Sequence, residues 1–256
     1  MPPLLHSKQN PLRLTLVFYL LILSVCGVAQ TKDTWGNISL DERVEMTNAI
    51  HQVDSIKRAE GIAKYFAIVY SVAMQNVEQK LEIADTSTKR FIRKFEFAFV
   101  KYFLSASQEY KDGNLPATSA WSCYFSQANI HPLKFILMGV NAHINGEMWQ
   151  AMVAACPRRD IDEHRKQYRT FESAIAKVYT PVFDSILTKN GYIRLVNSMT
   201  NGLARIFGER VLSKWRTRSV NLAILYYTNR AKFKRRLAAV NRKKQKVDRL
   251  ILRMRA

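Results

Sequence analysis

The sequence predicts an all-α protein: a single-domain helical bundle with a buried central helix and a basic amphipathic C-terminal helix. Three observations carry this reading. Apolar residues recur at spacings of three and four along almost the whole chain. No segment alternates polar and apolar as a half-buried strand does. Only 9 Gly and 7 Pro interrupt 256 residues. Hydrophobic residues at 48% and aromatic residues at 11% can fill one sizeable core, which excludes a disordered, collagen-like or disulfide-scaffold chain.

The first segment reads as a leader outside the fold. Lys8 and Arg13 form a basic start, and Leu14 to Val25 is an apolar run broken only by Thr15 and Ser24. Gly27 to Ala29 then supply small residues before polar Thr31. That is the layout of a secretory signal peptide over residues 1–30. The run is shorter than the ~20 residues a spanning helix needs, so cleavage near Gln30 and an exported protein, periplasmic or secreted, are expected. Acylation at Cys26 is disfavoured by the bulk of Val25.

The helical domain then covers residues 31–229. Ser39-Leu40-Asp41-Glu42 is a capping box opening a helix that runs past His51. A second helix is expected over 61–83, with Ile62, Phe66, Ala73 and Val77 at helical spacing, and a third over 88–110. Asp112-Gly113-Asn114-Leu115-Pro116 is a turn. Further helices are expected at 118–128, 132–155, 160–189, 192–206 and 209–255, the last broken near Asn229. Pro132 suits a first helical turn, Pro157 ends a helix, Pro181 kinks one and Asn190-Gly191 reads as a C-cap. Cys123 and Cys156 lie in apolar helical surroundings and are expected to stay unbridged.

The most informative stretch runs from His131 to Cys156. Leu133, Leu137, Val140, Ile144, Met148 and Ala151 form one apolar stripe, and Phe135, Met138, Ala142, Trp149 and Val153 occupy the other side. A helix apolar all round is a buried one. Its polar residues therefore need an explanation. Glu147 falls within the stripe, His143 stands one turn before it, and Asn141 and Asn145 flank the other edge. A buried carboxylate has to be paired, hydrogen-bonded, protonated or metal-bound, and the i, i+4 spacing offers His143 as its partner.

The string Gly139-Val140-Asn141-Ala142-His143-Ile144-Asn145-Gly146-Glu147-Met148 resembles the Gly-x-Asn-Ala-His-Ile-Asn-x-Asp-Leu hallmark of a bacterial family, domain of unknown function fifty-nine ninety-five. Weaker echoes are Glu60-Gly61 with Phe66 and Tyr70, Lys101-Tyr102, Ala120-Trp121 and Lys214-Trp215-Arg216, so that the likeness covers about residues 50–228. It implies a helical domain and no particular activity. Glu147 and Met148 replace the hallmark Asp-Leu, and Gln167-Tyr168 stand after His164 where the family pattern has Asp-Phe. The basic residues beyond 229 lie outside the likeness.

Two readings of the central residues stay open. His143 beside a buried Glu147 is suitable for general acid–base work, with Asn141 and Asn145 as ligand-binding groups for a small molecule. Alternatively, the four residues form a hydrogen-bonded network that fixes a central helix. Metal binding, with help from His51, Asp54, Asp160, Asp162 or His164, is the weaker idea, and none of these is assigned as a ligand. No HExxH, GxSxG, phosphate-loop or dinucleotide motif is present, and no particular cofactor follows. Trp121, Trp149 and Trp215 read as core or interface aromatics.

The charge is distributed unevenly. Residues 205–256 hold 17 of the 40 basic residues and 2 of the 20 acidic ones, so the body is nearly neutral. Over 230–256, Phe233, Leu237, Val240, Val247, Ile251 and Met254 form an apolar seam that Lys244 interrupts, with Lys and Arg filling the rest. Such a helix suits an anionic membrane surface or another envelope polyanion, or it packs on the body. Nucleic acid ranks last, because no recognised binding module accompanies the charge.

Overall fold

The computed structural model describes residues 35, 37–116, 120–156, 164–169 and 203–254, with side chains at 203–209 excepted. Among these residues the secondary structure is helical, with no strand. The leader, Pro181 and Asn190-Gly191 lie outside the described residues, as do the acids Asp160 and Asp162.

Helix α1, Leu40–Arg58, begins at the expected capping box: Glu42 N–H donates to Ser39 Oγ, and Ser39 N–H donates to Glu42 Oε2 at 3.2 Å. Helix α2, Ala63–Leu81, follows a turn in which Gly61 takes a φ of +108°, a conformation that favours glycine. Asp85 caps α3, Thr86–Lys111, by accepting from Thr88 N–H at 2.8 Å. The short helix α4, Ser122–Phe125, contributes aromatic residues to the core. After Thr228 closes α7, Leu203–Thr228, Asn229 caps α8, Arg230–Arg253, by accepting from Lys232 N–H. The break at Asn229 falls where the sequence puts it. The expected boundary between 206 and 209 does not exist, because α7 runs through it.

The central helix differs from its expected form. It is split into α5, Pro132–Val140, a π-helical segment, Asn141–Glu147, and α6, Met148–Ala155. Met148 N–H donates to His143 O, closing the wider i→i−5 ring of a π turn. The added residue rotates α6 relative to α5, so no single stripe runs the whole length. Phe135, Met138 and Ala142 are buried on α5 and the π segment, whereas Leu137, Val140 and Ile144 of the expected stripe are only half-buried. On α6 the buried residues are Met148, Ala151, Met152 and Ala155.

Every other named helix except α1 packs against this composite helix: α2, α4 and α8 on α5, α3, α7 and α8 on the π segment, and α3 and α7 on α6. Two of its glycines permit close approach. A Cβ on Gly139 would stand 2.5 Å from Phe66 Cδ2, and one on Gly146 would stand 2.9 Å from Ala120 Cβ. Phe66 is wedged between Phe103 and Trp121, so Gly139→Ala must push a core ring aside. That substitution is expected to cost about 1–3 kcal/mol in a urea unfolding experiment, and an unchanged midpoint would show that Phe66 can yield freely.

Candidate functional site

His143 sits on the π segment with its imidazole in a box of aromatic rings. It stacks on Phe99, with centroids 3.3 Å apart and planes 9° from parallel. Phe66 and Tyr70 present edges at 5.1 and 5.0 Å, and Trp121 stands 6.3 Å away. Phe66, Tyr70 and Trp121 come from separate stretches of sequence on α2 and beside α4, and the fold brings them to one imidazole. Phe99, the ring in closest contact, carries no motif and was not singled out in the sequence.

Glu147 is fully buried and His143 is 4% exposed. Their approach, 3.8 Å from His143 Nδ1 to Glu147 Oε2, is longer than a hydrogen bond. Both imidazole nitrogens and both carboxyl oxygens lack hydrogen-bond partners. Burial pushes the Glu147 carboxyl up to about 8, against smaller lowering influences from the Trp121 indole and the Lys244 charge. Trp121 Nε1 does not itself reach hydrogen-bond geometry. Burial also drives His143 well below its ordinary 6.5. Near neutral pH, therefore, the pair is a carboxylic acid beside a neutral imidazole. Burial, and then the Glu147 charge, raises the Tyr102 phenol, which places Tyr102 within electrostatic reach of that carboxyl.

Asn141 and Asn145 behave differently, because their amides are engaged within the fold. Asn141 Nδ2 donates to Asp248 Oδ1 at 2.8 Å and to Lys244 O at 3.0 Å. Asn145 Nδ2 donates to Asn141 Oδ1, and Arg218 donates to Asn145 Oδ1 at 3.2 Å. Lys244 and Asp248 form a buried ion pair at 2.8 Å, and the Lys244 ammonium also donates to Ala120 O. The lysine that interrupts the apolar seam of α8 is thus the anchor that ties α8 to the π segment. Sequence reading missed Lys244, Asp248 and Arg218 as parts of the centre; the signal for two of them was a lysine and an aspartate one turn apart on an apolar face.

The other candidate residues are dispersed. His51 is exposed, Asp54 pairs with Lys57 at 2.8 Å, and His164 stacks on Phe91 while bonding Gln167. Among the described residues no three His, Cys, Asp or Glu side chains converge as a metal site. Trp121 is a core aromatic, and Trp149 packs its ring against Phe233 of α8. Cys123 and Cys156 are not bridged to each other.

A family model for DUF5995, described as a family of unknown function, matches residues 44–254. The chain belongs to this family. No curated protein and no solved structure matches the chain. The DUF5995 match extends past the range of 50–228 read from the motifs and takes in all of α8. The basic C-terminal helix is therefore part of the DUF5995 domain, in keeping with its ion pair and amide contacts to the π segment. No described helix is long and apolar enough to cross a membrane.

Proposed function

We propose that this DUF5995 protein is exported to the cell envelope and binds a small polar ligand at His143 and Glu147, where the pair can carry out hydrolytic acid–base chemistry. The observation that supports this is one acid and one base, sealed among aromatic rings, with four unpartnered polar atoms. A purely structural network has its polar atoms satisfied, as Asn141 and Asn145 do, because each buried orphan costs about 1–3 kcal/mol. A π turn bearing such a pair fits a functional role, since π turns concentrate at functional sites.

The protonation states suit the chemistry. Neutral His143 can accept a proton from water as its oxygen attacks an acyl carbon, and protonated Glu147 can give its proton to the leaving group. A cleft of about 230 Å³ is lined by Ala120 and Gly146, the residues that precede Trp121 and Glu147 in the chain.

A second reading, a noncatalytic envelope-associated interaction protein, is favoured by one observation. Neither His143 nor Glu147 lines any of four clefts on the described residues. A thermal-shift screen of small amides, esters and carboxylates separates the two readings. At least one compound is expected to raise the Tm of the wild type and not that of His143→Asn. No shift with any compound, together with a loss of stability in His143→Asn, would favour the second reading. Export is checked on the native protein, whose intact mass should begin near residue 31; a full-length mass from the cytoplasmic fraction would sink it.

A further inference from the structure

Helices α7 and α8 form an antiparallel hairpin around the Asn229 cap, and a cleft of about 600 Å³ opens between them. On α7, Lys214 and Arg218 are one turn apart. On α8, Lys232, Arg236 and Lys243 recur at spacings of four and seven, so that each set shares a helix face. Arg165 joins them from the stretch 164–169, and no carboxylate is among the described lining residues. Beneath the cations lie Leu222, Leu225 and Val240. The size is that of a small-ligand site.

Arg218 distinguishes this cleft from a merely charged surface. Its guanidinium is partly buried and its acidity is shifted by desolvation, yet it donates to the neutral Asn145 amide. The π segment thereby holds one cation in place on the cleft wall. A planar guanidinium held in place, beside three lysines and two further arginines, is suited to gripping phosphate oxygens.

We infer that the α7–α8 cleft binds an anion carrying clustered phosphates, with any organic part resting on Leu222, Leu225 and Val240. This site is separate from the His143–Glu147 pair and goes beyond the reading above. The same chemistry is offered by a free polyphosphate or by a phosphate-bearing lipid headgroup. The separation of charge by sign is what recommends phosphate: the five cations that α7 and α8 bring to one cleft match clustered phosphates better than a single carboxylate.

The test uses the full chain, with tripolyphosphate in calorimetry and, in parallel, vesicles containing phosphatidic acid in a sedimentation assay. Lys214→Gln combined with Arg236→Gln removes two cleft charges, whereas Lys234→Gln combined with Arg249→Gln removes the same charge from residues of α8 outside the cleft lining. Tripolyphosphate affinity is expected to fall about tenfold or more in the cleft variant and less than about twofold in the control. Vesicle binding lost only in the cleft variant, without tripolyphosphate binding, would identify the headgroup as the source of the phosphate. Equal losses in both variants would show generic attraction to a basic protein and overturn the site. Absence of binding to both probes by the wild type would overturn it as well. Far-UV circular dichroism of both variants guards against unfolding.

Discussion

Asp248→Ala is expected to lower the stability of the domain by about 3–5 kcal/mol in chemical denaturation, among the largest effects of any single substitution in this fold. The carboxylate is 2% exposed and compensates an ammonium that is 3% exposed. Removing it takes away the carboxylate that balances the buried ammonium, and a carbonyl such as Ala120 O does not replace an ion partner. Asn141 also loses its 2.8 Å acceptor and keeps only the Lys244 carbonyl. The contrast that checks the mechanism is the double variant Lys244→Met with Asp248→Leu, which removes both charges at similar volume. It should recover most of the loss, since a buried pair replaced as a unit leaves no uncompensated charge. If the double variant is as unstable as the single one, the loss comes from packing of α8 and not from an uncompensated charge.

Glu147→Gln should make the protein less sensitive to alkali. A carboxyl held at about 8 in the folded chain, against an ordinary 4.5, binds its proton more tightly when folded. Its stabilising contribution is therefore complete below about pH 4.5 and is lost as pH rises through about 8. At about 1.4 kcal/mol per pH unit the whole effect is on the order of 4–5 kcal/mol. Glutamine has nothing to lose, so the Tm of the variant should gain on that of the wild type by on the order of 10 °C between about pH 5 and about pH 9. Part of the wild-type slope will persist, because burial also raises Glu96 to about 7 while Tyr70 O–H donates to it. His143 acts in the opposite direction. Its lowered value costs stability as pH falls below 6.5, which offsets the Glu147 slope between about pH 4.5 and 6.5 and leaves the Glu147 loss to show above that window. Parallel Tm profiles for wild type and Glu147→Gln would show that the carboxyl is not held neutral.

The helices were legible because their signals are local. A capping box at Ser39, the acid at Asp85 and the asparagine at Asn229 each act within three residues, and all three caps form. The choice of central helix was legible from its near absence of charge. The π turn was not, because an inserted residue leaves the apolar pattern intact to either side, and the close approach of Phe66 at Gly139 and of Ala120 at Gly146 joins residues far apart in the chain. His143 and Glu147 could be picked out as polar residues on an apolar helix, but the expected bond between them could not be tested by spacing, and the structure holds them 3.8 Å apart. The amide and ion-pair ladder was hidden for a different reason. Asn141 and Asp248 are 107 residues apart, and no periodicity connects positions so distant.

That same separation bears on how the protein comes to be assembled. Asn141 finds its acceptors 103 and 107 residues downstream, and Lys134 donates to Leu252, 118 residues on. Helix α8 follows every other described element in the chain, so a nascent polypeptide carrying α1 to α7 has the π segment in hand without the ion pair that anchors it. Closing contacts over such spans is slow, and the buried polar groups stay hydrated until it happens. The centre of the domain therefore cannot lock before α8 has emerged.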